Sequence, residues 1–434
     1  MTISLLHHPI SHRLHWFAEH WAKLPADGAA VVQLGPQCSR RLIRRGSEHA
    51  WRDKPHWRRR LLMPAYRVVW LIACPLKAVS KYRDMSKGVP LRCLGRSIWL
   101  GWTRGKAPGE MMPLLALFAG ERFSGERRNL LMNGLDARQS ILLLDALGDP
   151  AERSLAADKS SMSRALAAIG IPVPPILVEL KAADRFDLSV PPWAEGRRLF
   201  LKPRYGAGSR GIVVVERLSA SRFLVGGKQM SVSAFASRLS AQASEGPVLV
   251  QPFLEPDPSI RDISPQAPPW LRITIYRTPG GEPRVLSGML VLPTKDQGGE
   301  APPTTQLLVP VDPVDGMLLQ GLLWKCPGKR FAVVPWNGVR LTGRIVPEWH
   351  EAYRLALRGS TLLPKLPVIG WDVLITSEGP VVAEANTWIA LSSAELWYFE
   401  ANTRSPLMGV LLRWLEERRW SSSGYRIAGS GGGA

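Results

Sequence analysis

Apolar and polar positions divide the chain into a first part with helical patterns and a second part where strands and helices alternate. Apolar residues recur at helical spacing in residues 126–148. From about residue 151, short β-branched runs predict strands. The predicted strands are residues 199–202, 212–215, 248–254, 271–277, 284–292 and the two halves of 370–388. One predicted helix begins at residue 158 and stops at Gly170. Two others cover residues 232–244 and 347–358.

The segment LFLKPRYGAGSRGIVVV joins two predicted strands through a loop of small residues. A dinucleotide fingerprint would continue into a helix, but a strand follows Gly211. In a protein kinase the lysine follows the loop and HRD and DFG motifs come later, whereas Lys202 precedes this loop and neither motif occurs. Glycine lets backbone N–H groups approach phosphate oxygens, and Lys202 adds a positive charge. The segment therefore predicts a phosphate-binding hairpin with an exposed strand-end lysine, and an ordinary glycine-rich turn is the alternative.

The segment GWDVLITSEGPVVAEANTW predicts a second hairpin. A three-residue turn over 377–379, with glycine in the left-handed conformation, would place Asp372 directly opposite Glu384. Opposed carboxylates repel each other unless a cation lies between them, and Asn386 adds an amide oxygen two residues further on. Such an all-oxygen set suits Mg²⁺ shared with phosphates. A surface hairpin with solvated acids is the alternative.

Residues 293–347 contain many glycine and proline residues and predict a loop-rich segment that covers a site.

The whole chain has 434 residues, of which 45% are apolar and 21% charged, enough for two or three globular domains. Four cysteines without a C-x-x-C pair indicate a reducing compartment and no structural zinc. No secretory signal is recognised, and the longest apolar run, VVWLIACPL, is too short to span a bilayer. We expect a cytoplasmic protein and leave open whether it contacts the inner face of the membrane.

Residues 1–150 are basic and rich in arginine and tryptophan, within a chain whose net charge is +20 at pH 7. The arginine run at residues 40–60 could hold nucleic acid, an anionic membrane surface or a polyphosphate-linked substrate, or could be a solvated basic face. No nucleic-acid module accompanies it, so specific nucleic-acid binding is not expected. His8, His12 and His15 could share a helix face, as a metal site or as solvated side chains.

The order of these features along the chain resembles the ATP-grasp superfamily. The set runs through Lys159, Lys202 with its glycine loop, a strand that ends at Gln251, Arg272, and then the carboxylate hairpin. The resemblance covers roughly residues 150–400 and is strongest to the sugar-transfer-associated branch, whose members resemble α-L-glutamate ligases. The segments that carry it are DKSSMSRALAAIGIPVP, LFLKPRYGAGSRGIVVV, LVQPFL, LRITIYR and GWDVLITSEGPVVAEAN.

The resemblance implies an α+β, ATP-grasp fold in which two subdomains hold ATP between them. It divides the chain into a basic, partly helical region at 1–150, a nucleotide-binding subdomain at 151–255, a C-terminal subdomain with the metal site at 256–420, and a flexible Ser/Gly-rich tail at 421–434. The ribose contact would come from Glu255 or Asp257. The acceptor pocket in 293–343 matches the family poorly.

The resemblance also assigns the site residues. Lys159 and Lys202 would contact the ATP phosphates. The glycine loop that would cover the triphosphate contains Gly206, Gly208, Ser209 and Gly211. The adenine would be contacted by Gln251, Phe253 and Leu254. Arg272 would reach phosphate and transition-state oxygens. One or two Mg²⁺ would be held by Asp372, Glu384 and Asn386.

The chemistry implied is ligation of a small-molecule carboxylate to an amine through an acyl phosphate, with ATP and Mg²⁺ as cofactors. The branch suggests polysaccharide modification or specialised metabolite biosynthesis. An ATP-grasp phosphotransferase and a non-catalytic basic binding protein are the alternatives. The Arg-rich region would bind an anionic surface or carrier.

Overall fold

The computed structural model of the protein describes residues 56–84, 89–104, 111–112, 115, 137–182, 187–189, 191–206, 211–265, 268–293, 306–323, 329–396, 398 and 405–422. The histidine cluster and most of the arginine run lie outside the described residues. The same holds for Gly208 and Ser209, for residues 126–136 of the predicted N-terminal helix, and for the tail from residue 423 onward.

The described chain opens with five helices, and strands predominate from residue 178 to residue 386. The helices are α1 His56–Asp84, α2 Leu91–Arg104, α3 Ala137–Leu147, α4 Pro150–Ala157, α5 Lys159–Ala168, α6 Val232–Glu245, α7 Pro258–Arg261, α8 Trp349–Gly359, α9 Leu391–Ala394 and α10 Leu407–Ser422. The strands are β1 Val178–Leu180, β2 Arg198–Pro203, β3 Val213–Ser219, β4 Arg222–Val225, β5 Lys228–Ser231, β6 Val248–Pro252, β7 Trp270–Tyr276, β8 Arg284–Pro293, β9 Gln306–Val311, β10 Gly321–Leu323, β11 Arg330–Phe331, β12 Val368–Thr376 and β13 Gly379–Asn386.

A smaller sheet has the strand order β1-β6-β2-β3-β4-β5, and each neighbouring pair is antiparallel. Its β2–β3 hairpin is the one predicted around the glycine loop. Gly211 has a φ of +71°, and a Cβ there would lie 2.8 Å from Pro203. Only glycine fits this position without strain. Behind the sheet, α6 contributes Phe235 to an apolar core. The ring of Phe235 packs against that of Phe223, with 4.7 Å between the ring centroids.

A larger sheet has the strand order β11-β10-β9-β8-β7-β12-β13 and is also antiparallel throughout. One face packs on α5 and α8 around the buried Trp349 and Trp371. The prediction of a loop-rich segment over residues 293–347 holds for most of its described residues, but it missed β9, β10 and β11, which lie there and extend this sheet. These strands are short, and Pro310 interrupts the apolar pattern of β9, so the sequence did not reveal them.

Two further clusters attach the flanking helices to the larger sheet. Residues of the α1–α2 helical hairpin, with Met112 and Leu115, pack on Met289, Val291 and Leu322 of the sheet. On another side, α3, α9 and α10 form a cluster that includes Trp414. Among the residues described, no helix has the length and apolar content needed to cross a membrane.

Glu395, which follows α9, is a carboxylate that is 5% exposed, and no hydrogen bond reaches its Oε1. Burial raises the pKa of Glu395 to about 7, although Ser405 hydrogen-bonds the group and opposes the shift. The folded protein therefore keeps a proton that the unfolded chain releases between about pH 4.5 and 7. Stability falls as pH rises through that interval and stays reduced above it.

Glu395→Gln should remove this pH-dependent loss. We expect a melting temperature near that of the wild type at pH 4 and a higher one at pH 8, with a gain of about 1 to 3 kcal/mol in unfolding free energy. Thermal melts across this pH range test the expectation, with the exposed Glu195→Gln as the control. An equal gain at both pH values would show that the charge of Glu395 is not the cause.

Candidate active site

A cleft of about 1480 Å³ lies between the two sheets. Side chains from β2, β3 and β6 form one wall, and β7, β12 and β13 form the other. Nine of the predicted site residues line it: Lys202, Gly206, Gln251, Phe253, Leu254, Arg272, Asp372, Glu384 and Asn386. The structure thus brings together residues that are up to 184 positions apart in sequence, as the spacing from 202 to 386 shows.

The carboxylate hairpin forms in the predicted register, with Asp372 opposite Glu384. Its turn differs from the prediction, because Thr376 pairs with Gly379 and leaves a turn of two residues. The hydroxyl of Thr376 donates to the Gly379 carbonyl at 2.8 Å, which closes this shorter turn. Gly379 has a φ of +107°, as a glycine-specific position should.

A β-bulge at Ala383 restores the predicted register after this shorter turn. The pairing changes between Asp372 and Val373, so Ala383 has no direct partner on β12. Bulges bend a strand and redirect side chains, and they are frequent near active sites. The opposition of the two carboxylates was therefore predicted correctly from a turn that was assigned wrongly.

Arg272 lies opposite Asp372 on the other side of β12. Its Nε and Nη2 donate to the two carboxylate oxygens, with Nη2 at 2.9 Å from Oδ2. The amide nitrogen of Asn386 donates to Oδ2 of Asp372 at 3.1 Å. Burial raises the pKa of Asp372 to about 6; Arg272 opposes this shift and the charge of Glu384 adds to it.

The donor set around Asp372 fits a hard cation. Two carboxylates face each other at the wall of the cleft. Asn386 uses its amide nitrogen for the hydrogen bond to Asp372, so its amide oxygen takes no part in that bond. No group of three or more His, Cys, Asp and Glu side chains forms among the described residues. The candidate ligands are two carboxylates and one amide oxygen, a combination that suits Mg²⁺ with phosphate oxygens and water as its other ligands.

Lys202 on β2 reaches this hairpin from the opposite wall of the cleft, whereas Lys159 stands at the start of α5, which packs on the larger sheet, and is not among the residues that line the cleft. Lys159 Nζ lies 3.9 Å from the Glu384 carboxylate and donates to the Gly206 carbonyl at 2.8 Å. Lys202 Nζ donates to the carbonyl of Ala383 at 3.2 Å. The prediction of an exposed lysine was wrong, because Lys202 is only 5% exposed. Burial lowers the pKa of Lys202 to about 8, and neighbouring Lys159 lowers it further while Glu384 raises it.

An ion-pair network that the sequence did not reveal fixes the position of Lys159. Asp158 caps α5 by accepting from the N–H groups of Ser160 and Ser161. Arg204 donates twice to Asp158, at 2.7 and 2.5 Å, and once to Glu179 at 2.8 Å. These bonds hold the pKa of Asp158 well below its usual range. They join three elements that are distant in sequence, which no local pattern could show.

The far end of the cleft is built around β6 and the segment after it. Gln251 lines the cleft while its amide donates to the Pro174 carbonyl at 3.0 Å. The Arg198 guanidinium lies 3.8 Å above the Phe253 ring and pairs with Glu255 at 2.9 Å. Asp257 caps α7. Glu255 and Asp257, the two candidates for the ribose contact, are not among the described residues that line the cleft.

An apolar area that the sequence reasoning missed continues from the charged residues along the larger sheet. Arg272 pairs with Met289, and one step along the same face Trp270 pairs with Val291 and Val291 with Leu308. All of these residues line the cleft. The sheet face thus changes from charged to apolar within two residues. Alternation identified the strands, but it could not show which face meets the cleft.

The chain belongs to the sugar-transfer associated ATP-grasp family, whose model matches residues 139–404, more than half of the chain. The fold is the α+β ATP-grasp fold, and the prediction of this branch is confirmed. Membership supports ATP binding and ATP-dependent ligase chemistry in general. No curated protein matches the sequence significantly.

Several solved structures are similar to this chain. D-alanine–D-alanine ligase from Bacillus anthracis, complexed with ATP, has 13% identity and a TM-score of 0.38, over 63% of this chain and 71% of that one. N5-carboxyaminoimidazole ribonucleotide synthetase from Thermotoga maritima has 15% identity and a TM-score of 0.36, over 65% and 56%. L-amino acid ligase from Bacillus licheniformis has 13% identity and a TM-score of 0.38, over 66% and 57%. Because the identities are at most 15% and the TM-scores lie below 0.5, no property of these proteins is transferred to this chain.

Proposed function

We propose that the protein is an ATP-dependent ligase that joins a carboxylic acid to an amine through an acyl phosphate. The observation that carries the proposal is the convergence of opposite charges in one cleft. Lys159 lies 3.9 Å from Glu384, and the partly buried Arg272 and the buried Asp372 form a two-bond pair beside it. Three cationic side chains, those of Lys159, Lys202 and Arg272, meet two carboxylates here, which suits a triphosphate with its metal ion.

The nucleotide would lie along the cleft with its phosphates between the two lysines and the glycine loop. Lys202 supplies a positive charge in a place from which water is largely excluded, so its attraction to phosphate is little screened. Phe253 and Leu254 line the cleft beyond β6 and would contact the adenine. Gly206 and Gly211 flank the loop, of which Gly208 and Ser209 lie outside the described residues.

Asp372, Glu384 and Asn386 would hold Mg²⁺. A metal ion held by these residues would supply positive charge that offsets the negative charge developing during phosphoryl transfer. Arg272 keeps Asp372 in a fixed orientation through its two hydrogen bonds. Its guanidinium lines the cleft, so it can also orient an oxygen of the transferred phosphoryl group.

In the first step, an oxygen of the substrate carboxylate attacks the γ-phosphorus, the bond to the β–γ bridging oxygen breaks, and ADP leaves. In the second step, the amine nitrogen attacks the acyl carbon, inorganic phosphate leaves, and the nitrogen loses a proton as the amide forms. Neither step needs a nucleophile from the protein. Catalysis then rests on positioning and on the cations that stabilise spread negative charge.

The substrates would be a small-molecule acid and amine, in polysaccharide modification or specialised metabolite biosynthesis, and the reaction would take place in the cytoplasm. The family branch is the support for this setting, which is an argument by association. A phosphotransferase remains the alternative enzyme, since the same nucleotide site could serve it. A non-catalytic binding protein is the other alternative.

Trapping of the intermediate distinguishes these functions. With ATP, Mg²⁺ and the correct acid but no amine, we expect hydroxylamine to give a hydroxamate together with stoichiometric ADP, because an acyl phosphate reacts with it. A panel of amino acids and acidic sugars, followed by mass spectrometry, identifies the acid. A phosphorylated product that resists hydroxylamine would establish the phosphotransferase, and ATP binding without turnover on any acid would support the binding protein.

A further inference from the structure

The α1–α2 helical hairpin carries an exposed apolar stripe on its outer side. Val68, Ile72 and Leu76 follow one another at four-residue spacing on α1 and are 59%, 63% and 66% exposed. Leu71 adjoins them, and Trp99 and Trp102 on α2 are each 46% exposed. We call these six residues the outer stripe. A contiguous apolar surface of this kind marks an interaction site.

Hydrogen bonds between the two helices make the outer stripe continuous. Trp70 donates to the Gly101 carbonyl at 2.9 Å, and Trp102 donates to the Leu71 carbonyl at 3.2 Å. This register puts Trp99 level with Ile72 on the neighbouring helix. The indole rings therefore extend the apolar face of α1 across to α2.

The opposite side of the hairpin is fixed to the rest of the protein. Ala78 and Cys93 are buried in the cluster that contains Met289 and Val291 of the larger sheet. The hairpin cannot turn the outer stripe inward without exposing this cluster. Its outward orientation is consequently a fixed feature of the fold.

The charge around the outer stripe is strongly positive. Residues 56–104 contain eleven lysine and arginine residues and one acid, Asp84. Arg83, Arg92 and Arg96 are among those exposed. Residues 1–55, which could otherwise cover the stripe, carry eight basic and four acidic residues, so their charge has the same sign. Charge complementarity thus favours an anionic occupant.

We propose that the outer stripe docks the protein on the surface of an anionic lipid bilayer. Aliphatic side chains would enter the boundary between headgroups and acyl chains, and tryptophan is suited to that boundary because its ring is apolar and its N–H is polar. The arginine and lysine side chains around them bind the headgroup phosphates. Because the hairpin packs on the strands that carry the apolar part of the cleft, the bound protein holds that end of the cleft near the membrane.

Vesicle co-sedimentation of the full chain tests this proposal without any need for turnover. We expect binding to vesicles with about one-third phosphatidylglycerol, little binding to phosphatidylcholine alone, and weakening by salt. The double variant Ile72→Glu with Leu76→Glu should lower the partition coefficient about tenfold or more, because both carboxylates would have to enter the headgroup region. Both positions are highly exposed, so the melting temperature should not change.

The matched control is Val314→Glu with Ile345→Glu, which places the same charges at apolar residues that are 77% and 60% exposed elsewhere on the protein. It should bind vesicles like the wild type. Absence of wild-type binding to anionic vesicles, or equal binding by the outer-stripe variant, would overturn the proposal. A wild-type dimer that the outer-stripe variant converts to monomer, without vesicle binding, would show instead that a second copy covers the stripe. These outcomes are independent of whether the protein is a ligase.

Discussion

Glu384→Gln should reduce turnover by a factor of about 10³ or more, since a cation that this carboxylate would help to hold would supply several kcal/mol of transition-state stabilisation. The variant should also lose most of the thermal stabilisation that Mg²⁺ with a non-hydrolysable ATP analogue gives the wild type. Without metal its stability should hardly change. Glu384 opposes Asp372, which costs free energy, but it lies 3.9 Å from Lys159, which offsets that cost.

The control for this experiment is Glu378→Gln, in the turn of the same hairpin and away from the cleft wall. It makes the same chemical change on the same pair of strands and should leave turnover and ligand stabilisation unaltered. ADP release and melting curves with and without the Mg²⁺–analogue mixture provide both measurements. Wild-type turnover in Glu384→Gln would mean that the two carboxylates share no metal, and the proposed mechanism would be wrong.

Lys202→Met should weaken ATP binding by a factor of about 10² or more, because it removes an almost unscreened charge from the phosphate site. The fold should remain intact. Methionine fills a similar space, and a lysine whose pKa burial lowers to about 8 is destabilising when charged. We therefore expect the nucleotide-free variant to melt at the wild-type temperature or above it. Calorimetric titration with ATP, combined with thermal melts, measures both effects.

Lys228→Met provides the comparison, since it removes an exposed lysine from β5 of the same sheet. It should leave the affinity for ATP unchanged. An unaltered affinity in folded Lys202→Met would contradict the placement of the phosphates between the two walls of the cleft.

Features that depend on neighbouring residues could be predicted from the sequence. The β2–β3 hairpin follows from two β-branched runs around a glycine loop, and the opposition of Asp372 to Glu384 follows from the alternation on either side of one turn. Even there the turn itself was wrong, because a hydrogen bond from the Thr376 hydroxyl favours two residues and the bulge compensates. Local patterns fix which residues pair more reliably than they fix the turn between them.

Features that depend on distant segments could not be predicted. Lys202 is buried because β13, 181 positions away, covers it, and the strand that carries it gives no sign of this. Arg204 is one arginine among many in a basic chain, and its role as the link between Asp158 and Glu179 exists only in the folded protein. The apolar area of Trp270 and Val291 likewise depends on which sheet face meets the cleft.

The bulge at Ala383 places a backbone carbonyl where the proposed nucleotide would meet Lys202. Its carbonyl accepts the hydrogen bond of Lys202, so this cation already has a partner on the other sheet. In the proposed function, a phosphate that binds Lys202 would take the place of this carbonyl and would release one tie between the two sheets. Nucleotide binding and relative movement of the two sheets would then be coupled.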